Sequence, residues 1–138
     1  MNGETGLLVV NIIAESKMEF FQFILNDAVH ISLIGQLWQK EELSALSDAI
    51  DSCIHQQQNI VVLDLQRLSF ISNQGLGLLV RIHSTLEAAG GNLILNCNNS
   101  DILELFRISG FGEFMKIVNN QIELQQILAS IPAKISHV

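Results

Sequence analysis

The sequence predicts an α/β domain with an N-terminal antiparallel hairpin, mostly parallel later strands and about four helices. Three observations predict it. Two apolar runs meet at the turn-forming pair Asn26-Asp27; a continuous aliphatic stretch covers residues 60–65; and stripes of apolar residues at helical spacing alternate with short strand-like runs after it.

Residues 20–25 and 29–34 flank Asn26-Asp27, whose side chains tolerate tight turns, so the simplest reading is a hairpin that Gly35 closes. Across residues 40–58, Leu43, Leu46, Ala49, Ile50, Cys53 and Ile54 repeat with helical period, leaving Glu41, Glu42, Ser47, Asp48 and Asp51 for solvent. The unbroken run Ile60-Val61-Val62-Leu63-Asp64-Leu65 has the pattern of a strand covered on both faces, with Asp64 near its end as either a solvated carboxylate or a functional one. A second stripe, Leu76, Leu79, Val80, His83 and Leu86, ends at Ala88-Ala89-Gly90-Gly91, a helix stop. Residues 93–95 then read as a strand. Ile102, Leu105, Phe106 and Ile108 share a face of a short helix capped by Ser100 or Asp101 and ended by Gly110. A strand over 115–118 and a last helix carrying Ile122, Leu124, Gln125 and Leu128, stopped by Pro132, complete the order. Strands alternating with helices imply crossover connections and parallel pairing.

A chain of 138 residues suits one domain, which buries roughly 70% of its unfolded surface. With 49% hydrophobic and 15% charged residues it is too apolar to be disordered, and no apolar stretch reaches the ~20 residues of a membrane span. The expectation is a soluble, cytoplasmic protein with no direct membrane insertion; the apolar start, Leu7 to Ala14, lacks the basic residues that precede a secretory core. Seven basic against fourteen acidic residues give a formal charge of -7, which opposes nucleic-acid binding. Residues 1–19 read as an extension that either adds an edge strand, lies disordered or forms an interface, and an exposed apolar edge favours a homodimer. Residues 20–130 form the domain and 131–138 a tail.

No catalytic set converges. His30, His55, His83 and His137 fall in separate elements, and Cys53 and Cys97 have neither a Cys-x-x-Cys pairing nor a nearby His, so both read as buried thiols of a reduced protein. Gly75-Leu76-Gly77 lacks the Lys-Ser/Thr ending of a nucleotide-phosphate loop. Neither cofactor nor metal is expected, and the chain is not expected to be an enzyme.

The junction Phe70-Ile71-Ser72-Asn73-Gln74-Gly75-Leu76-Gly77 resembles the Phe-x-Asp-Ser-Ser-Gly-Leu-Gly turn of the STAS domain, the module of bacterial anti-sigma factor antagonists. Gly35-Gln36-Leu37 is similar to the family's Gly-Glu-Leu or Gly-Asp-Leu, Gly90 to Leu95 to its next strand, and Leu105-Phe106-Arg107-Ile108-Ser109-Gly110-Phe111 to its Leu-x-x-Thr-Gly-Leu stretch. The resemblance runs from about Phe20 to Leu128 and implies a STAS-like (SpoIIAA-like) sheet. It departs at the turn itself: Ser72 stands at the Asp position, Gln74 at the second Ser, and Asn73 at the phosphorylated Ser.

The resemblance implies a noncatalytic protein-interaction module of partner switching and transcription regulation, binding an anti-sigma factor or serine kinase-like protein. The implied partner-binding residues are Gly35, Leu37, Ser72, Asn73, Gln74, Gly75, Leu76 and Gly77, with Asn73 at the phosphoacceptor-equivalent position. Ser72 reads first as a helix cap and second as an alternative phosphoacceptor; Trp38 reads first as a core lid and second as a binding anchor. Ser109 resembles a second phosphorylation site of some relatives, although a Ser beside Gly110 is more often structural. The alternative function is a cytoplasmic accessory subunit of a membrane transporter, and a third is a small-ligand sensor.

Overall fold

The structure is a computed structural model that describes residues 9–12 and 18–131. Its strands are β1 (Val9–Ile12), β2 (Met18–Leu25), β3 (Ala28–Leu37), β4 (Ile60–Ile71), β5 (Asn92–Asn96) and β6 (Lys116–Val118). The helices are α1 (Lys40–His55), α2 (Asn73–Ala88), α3 (Ser100–Ile108) and α4 (Gln121–Ser130). Among the described residues the strands make one sheet in the order β1-β2-β3-β4-β5-β6. β1, β2 and β3 pair antiparallel, and β3 to β6 pair parallel. Expectations about residues 1–8 and 13–17, Pro132 and His137 lie outside the described residues.

The hairpin turn is as short as it can be, because Leu25 pairs directly with Ala28. Asn26 and Asp27 both take positive φ, 53° and 67°, which these two residue types tolerate and which gives a turn matching the twist of its strands. Two boundaries differ from expectation. Gly35 does not close β3 but takes φ 111° beside a register shift, after which Gln36 and Leu37 pair with Phe70 and Ile71. Asp64 likewise lies mid-strand, because β4 runs on to Ile71 along this continued pairing. Tertiary pairing carries both strands through residues that look like breakers in isolation.

Successive parallel connections advance in one direction across the sheet, so right-handed crossovers place α1, α2 and α3 on the same face. That face holds the main core, in which Leu46, Ile50 and Cys53 of α1, Leu79 and Leu86 of α2 and Ile102 and Phe106 of α3 meet Leu33, Leu63 and Leu95 of the sheet. Each such fully buried side chain contributes about 1.5–3 kcal/mol. The opposite face is covered by α4, where Leu124 packs on Ala28, Val62, Ile94 and Val118.

Several side chains depart from their predicted places. Glu42 is buried rather than solvated: its carboxylate accepts the Gln39 backbone N–H at 2.7 Å, closing a capping box on α1. Asn99, not Ser100 or Asp101, caps α3, accepting from Asp101 N and Ile102 N while its own amide donates to Leu68 O. Ile108 is 67% exposed at the end of that helix instead of sharing its buried face.

Both cysteines are buried and unpaired, and desolvation pushes the Cys53 thiol up to about 11 and Cys97 upward. His30 stacks on Phe23 with ring centroids 4.9 Å apart. Burial lowers its pKa from 6.5, opposed by the Asp64 charge and a backbone hydrogen bond at Leu25. As pH falls the unfolded chain therefore takes up this proton before the folded one. The stability held by the neutral ring is complete above pH 6.5 and is lost as pH falls from there toward the lower folded value. The urea midpoint is expected to drop between about pH 7.5 and 5.5, and to drop less in His30→Gln; parallel curves for the two proteins would contradict this.

Candidate functional site

The junction between β4 and α2 is set by the end of β3. Ser72 follows β4 in extended conformation, and its N–H donates to the Leu37 carbonyl at 3.0 Å. Its hydroxyl oxygen then accepts the Gly75 N–H at 3.0 Å, so Ser72 is the N-cap of α2. Gly75 is buried one turn in. A Cβ there would lie 2.7 Å from Ile71 Cγ1 and 2.8 Å from the Leu37 carbonyl oxygen, so the absence of a side chain is what lets the helix seat against the strand end.

This seat fixes the rotation of α2. It buries Leu78, Leu79, Ile82, His83 and Leu86, leaving Leu76 and Val80, expected in the apolar stripe, only half-buried. Asn73, Gln74 and Gly77 are exposed, and nothing lies within 4 Å of where a Gly77 side chain would begin. Asn73 is thus the first residue of the helix, on the surface, at an end whose unpaired N–H groups amount to roughly half a positive charge. The first turn holds no carboxylate.

The predicted partner-binding residues divide in two. Leu37 is fully buried, so its side chain is core and not a docking contact; Gly35, whose carbonyl accepts the Ser69 hydroxyl at 3.0 Å, and the buried Gly75 are framework. Trp38 corrects the expectation in the other direction. One residue past inward-facing Leu37 it turns outward, 40% exposed, and stands edge-on to Phe70, itself 45% exposed, with centroids 6.2 Å apart and planes at 86°. A groove of about 410 Å³ opens beside Trp38 between α1 and α2, with Leu43 on its wall and Gln74, Lys40, Asp48 and Arg81 around it.

Phe70, Lys40 and Asp48 were not singled out by the sequence as site residues. Parallel pairing of β3 with β4 sets Gln36 opposite Phe70 and so brings Phe70 beside Trp38; that pairing was the one signal available. Other residues do not join this surface. Asp64 lies on the α4 side, lining a cavity with Val62 and Leu124, and its carboxylate accepts the Gln66 N–H at 3.1 Å. Ser109 is the C-cap of α3. His55 is exposed with Nδ1 3.0 Å from the Asp51 carbonyl, whereas His83 is buried on α2 against Phe114. Among the described residues no group of three or more His, Cys, Asp or Glu is placed to hold a metal.

Loss of the cap in Ser72→Ala is expected to cost about 1 kcal/mol in urea unfolding. Gly75→Ala is expected to cost about 1–3 kcal/mol despite alanine's better helix propensity, because the methyl meets backbone that cannot yield. A neutral or stabilising Gly75→Ala would contradict the seating geometry.

A family model of the STAS domain matches residues 25–123. Over 61 residues the chain is 36% identical to BtrV of Bordetella bronchiseptica, named as a candidate anti-sigma factor antagonist; the match covers 44% of this chain and 53% of BtrV, about half its length. The structure of the anti-sigma factor antagonist SpoIIAA in its unphosphorylated form is similar at a TM-score of 0.62 and 19% identity, covering 91% of this chain and all of that one. A structure from Thermotoga maritima, titled as a candidate anti-sigma factor antagonist, gives a TM-score of 0.66 at 17% identity, covering 88% of this chain and 94% of the other. These structural likenesses show the shared fold: a mixed sheet with an antiparallel N-terminal part, parallel later strands and four helices. With the family model matching well over half its length, the chain belongs to the STAS domain family.

Proposed function

We propose that this protein is a noncatalytic interaction module of bacterial signalling, an antagonist that binds an anti-sigma factor or serine kinase-like protein through the start of α2. The observation that carries the reading is the exposed Asn73 at the first position of α2, next in sequence to Gln74, which lines the groove between α1 and α2 together with Trp38 of the Trp38–Phe70 pair. Aromatic side chains beside a concavity are the common anchors of protein interfaces. Ser72, Asn73, Gln74, Leu76 and Gly77 supply the polar and small contacts around them, on a scaffold of Gly35, Leu37 and Gly75. The identity of BtrV and the fold of SpoIIAA support the class of partner.

Asn73 makes this module permanently competent to bind. A phosphoryl group would bring about -1.5 to -2 charges to the docking surface, and burying that charge without a cation opposes association. A carboxamide has no hydroxyl to esterify, and Ser72, the adjacent hydroxyl, is turned back to cap the Gly75 N–H. The switch used by relatives with Ser at this position is therefore absent here.

Two measurements test the reading against the purified anti-sigma factors of the source organism. Trp38→Ala is expected to weaken the complex by about 2 kcal/mol in calorimetry while leaving the fold intact; absence of binding by the parent protein to every such factor would reject the function. The double variant Ser72→Asp, Asn73→Ser is expected to become a kinase substrate and to lose at least about tenfold in affinity once phosphorylated. Unchanged affinity after confirmed modification would reject the electrostatic argument.

A further inference from the structure

The face of the sheet opposite the docking surface carries a second feature that partner binding does not use. Parallel register sets Ser32 of β3 opposite Asp64 of β4, and Asp64 opposite Asn96 of β5, in one polar row. These three residues and His30 line a cavity of about 110 Å³ between the sheet and the first residue of α4, walled by Phe23, Val62 and Leu124. It lies on the face of the sheet beneath α4, beside Asn96 at the end of β5.

The decisive group is His30. It is 9% exposed, and among the described residues its Nε2 has no hydrogen-bond partner. In the neutral ring that carries its proton on Nδ1, the unpartnered Nε2 offers a lone pair as an acceptor. Among the described residues Asp64 accepts the backbone N–H of Gln66, and its two oxygens keep further acceptor capacity. The Asn96 carbonyl accepts from Gln66 Nε2 at 3.3 Å, which orients its NH₂ group as a donor. Asp64 is the charged residue of the lining, with no Lys or Arg beside it, so an anion is disfavoured.

We infer that this cavity binds a small primary ammonium compound carrying a neighbouring hydroxyl. Three acceptors, His30 Nε2, the Asp64 carboxylate and the Ser32 hydroxyl oxygen, match the three N–H donors of an ammonium group. The Asn96 NH₂ is left for the ligand's hydroxyl oxygen, and the Phe23, Val62 and Leu124 walls suit its methylenes. The volume, on the order of four waters, suits a ligand of about that many non-hydrogen atoms.

The test is a nuclear magnetic resonance titration of the full chain with ethanolamine hydrochloride, using ethanol and sodium acetate at matched ionic strength as controls. Saturable shifts are expected for the His30 ring and for the Ser32, Asp64 and Asn96 amides, with acetate inert and the Asn73 and Gln74 amides unmoved. That last readout separates this site from the docking surface. Asp64→Asn is expected to weaken binding about tenfold or more through loss of a charge-assisted hydrogen bond, and Ser32→Ala, at a half-buried position, to weaken it several-fold with the spectrum otherwise preserved. Shifts that stay linear, as for a cavity that holds only water, or saturation that survives unchanged in both folded variants, would overturn the assignment.

Discussion

The Leu37 carbonyl is the point on which the β4–α2 end of this domain depends. It ends the β3 pairing, accepts the Ser72 N–H, and lies so close to Gly75 that no side chain fits between them. Those contacts tie the exit of one strand, the end of its parallel neighbour and the first turn of a helix into one rigid junction. Placing a methyl at residue 75 would push α2 away from β3 and turn its exposed edge.

From that junction follows which residues face outward. A helix seated by Gly75 must bury Leu78, Leu79 and Ile82, and so must expose Asn73, Gln74 and Gly77. A strand that ends with Leu37 inward must turn Trp38 outward, where the continued pairing of β4 delivers Phe70 beside it. The outward-facing set is thus a by-product of core geometry. These exposed groups can vary without disturbing what holds them, so residue 73 is free to be Asn.

The two faces of the sheet are used differently. Three crossover helices cover one face and leave it an almost wholly apolar core, whereas a single helix, α4, covers part of the other. Polar residues on that second face are tolerated because β3, β4 and β5 align them in a row that can be satisfied from within or by a bound molecule. His30, buried with an unpaired nitrogen, is the one member of that group whose needs the described protein atoms do not meet.

Much of this was legible in the sequence. The Asn26-Asp27 turn, the continuous aliphatic run of β4 and the stripes of α1 and α2 are local signals, since turn chemistry and periodicity are written in neighbouring residues. So were the α/β order and the resemblance of the β4–α2 junction to the STAS turn, including the Asn at its centre. Strand ends beyond Gly35 and Asp64 were not, because both continue through nonlocal pairing. Nor was the burial of Glu42 or the exposure of Trp38, which depend on which way a chain end turns against a partner distant in sequence. The sequence by itself determined the elements, their order and the chemistry available at residue 73. Only the tertiary structure decided which side chains face outward around it, because facing is set by register and by close backbone approach, and neither is a property of any one segment.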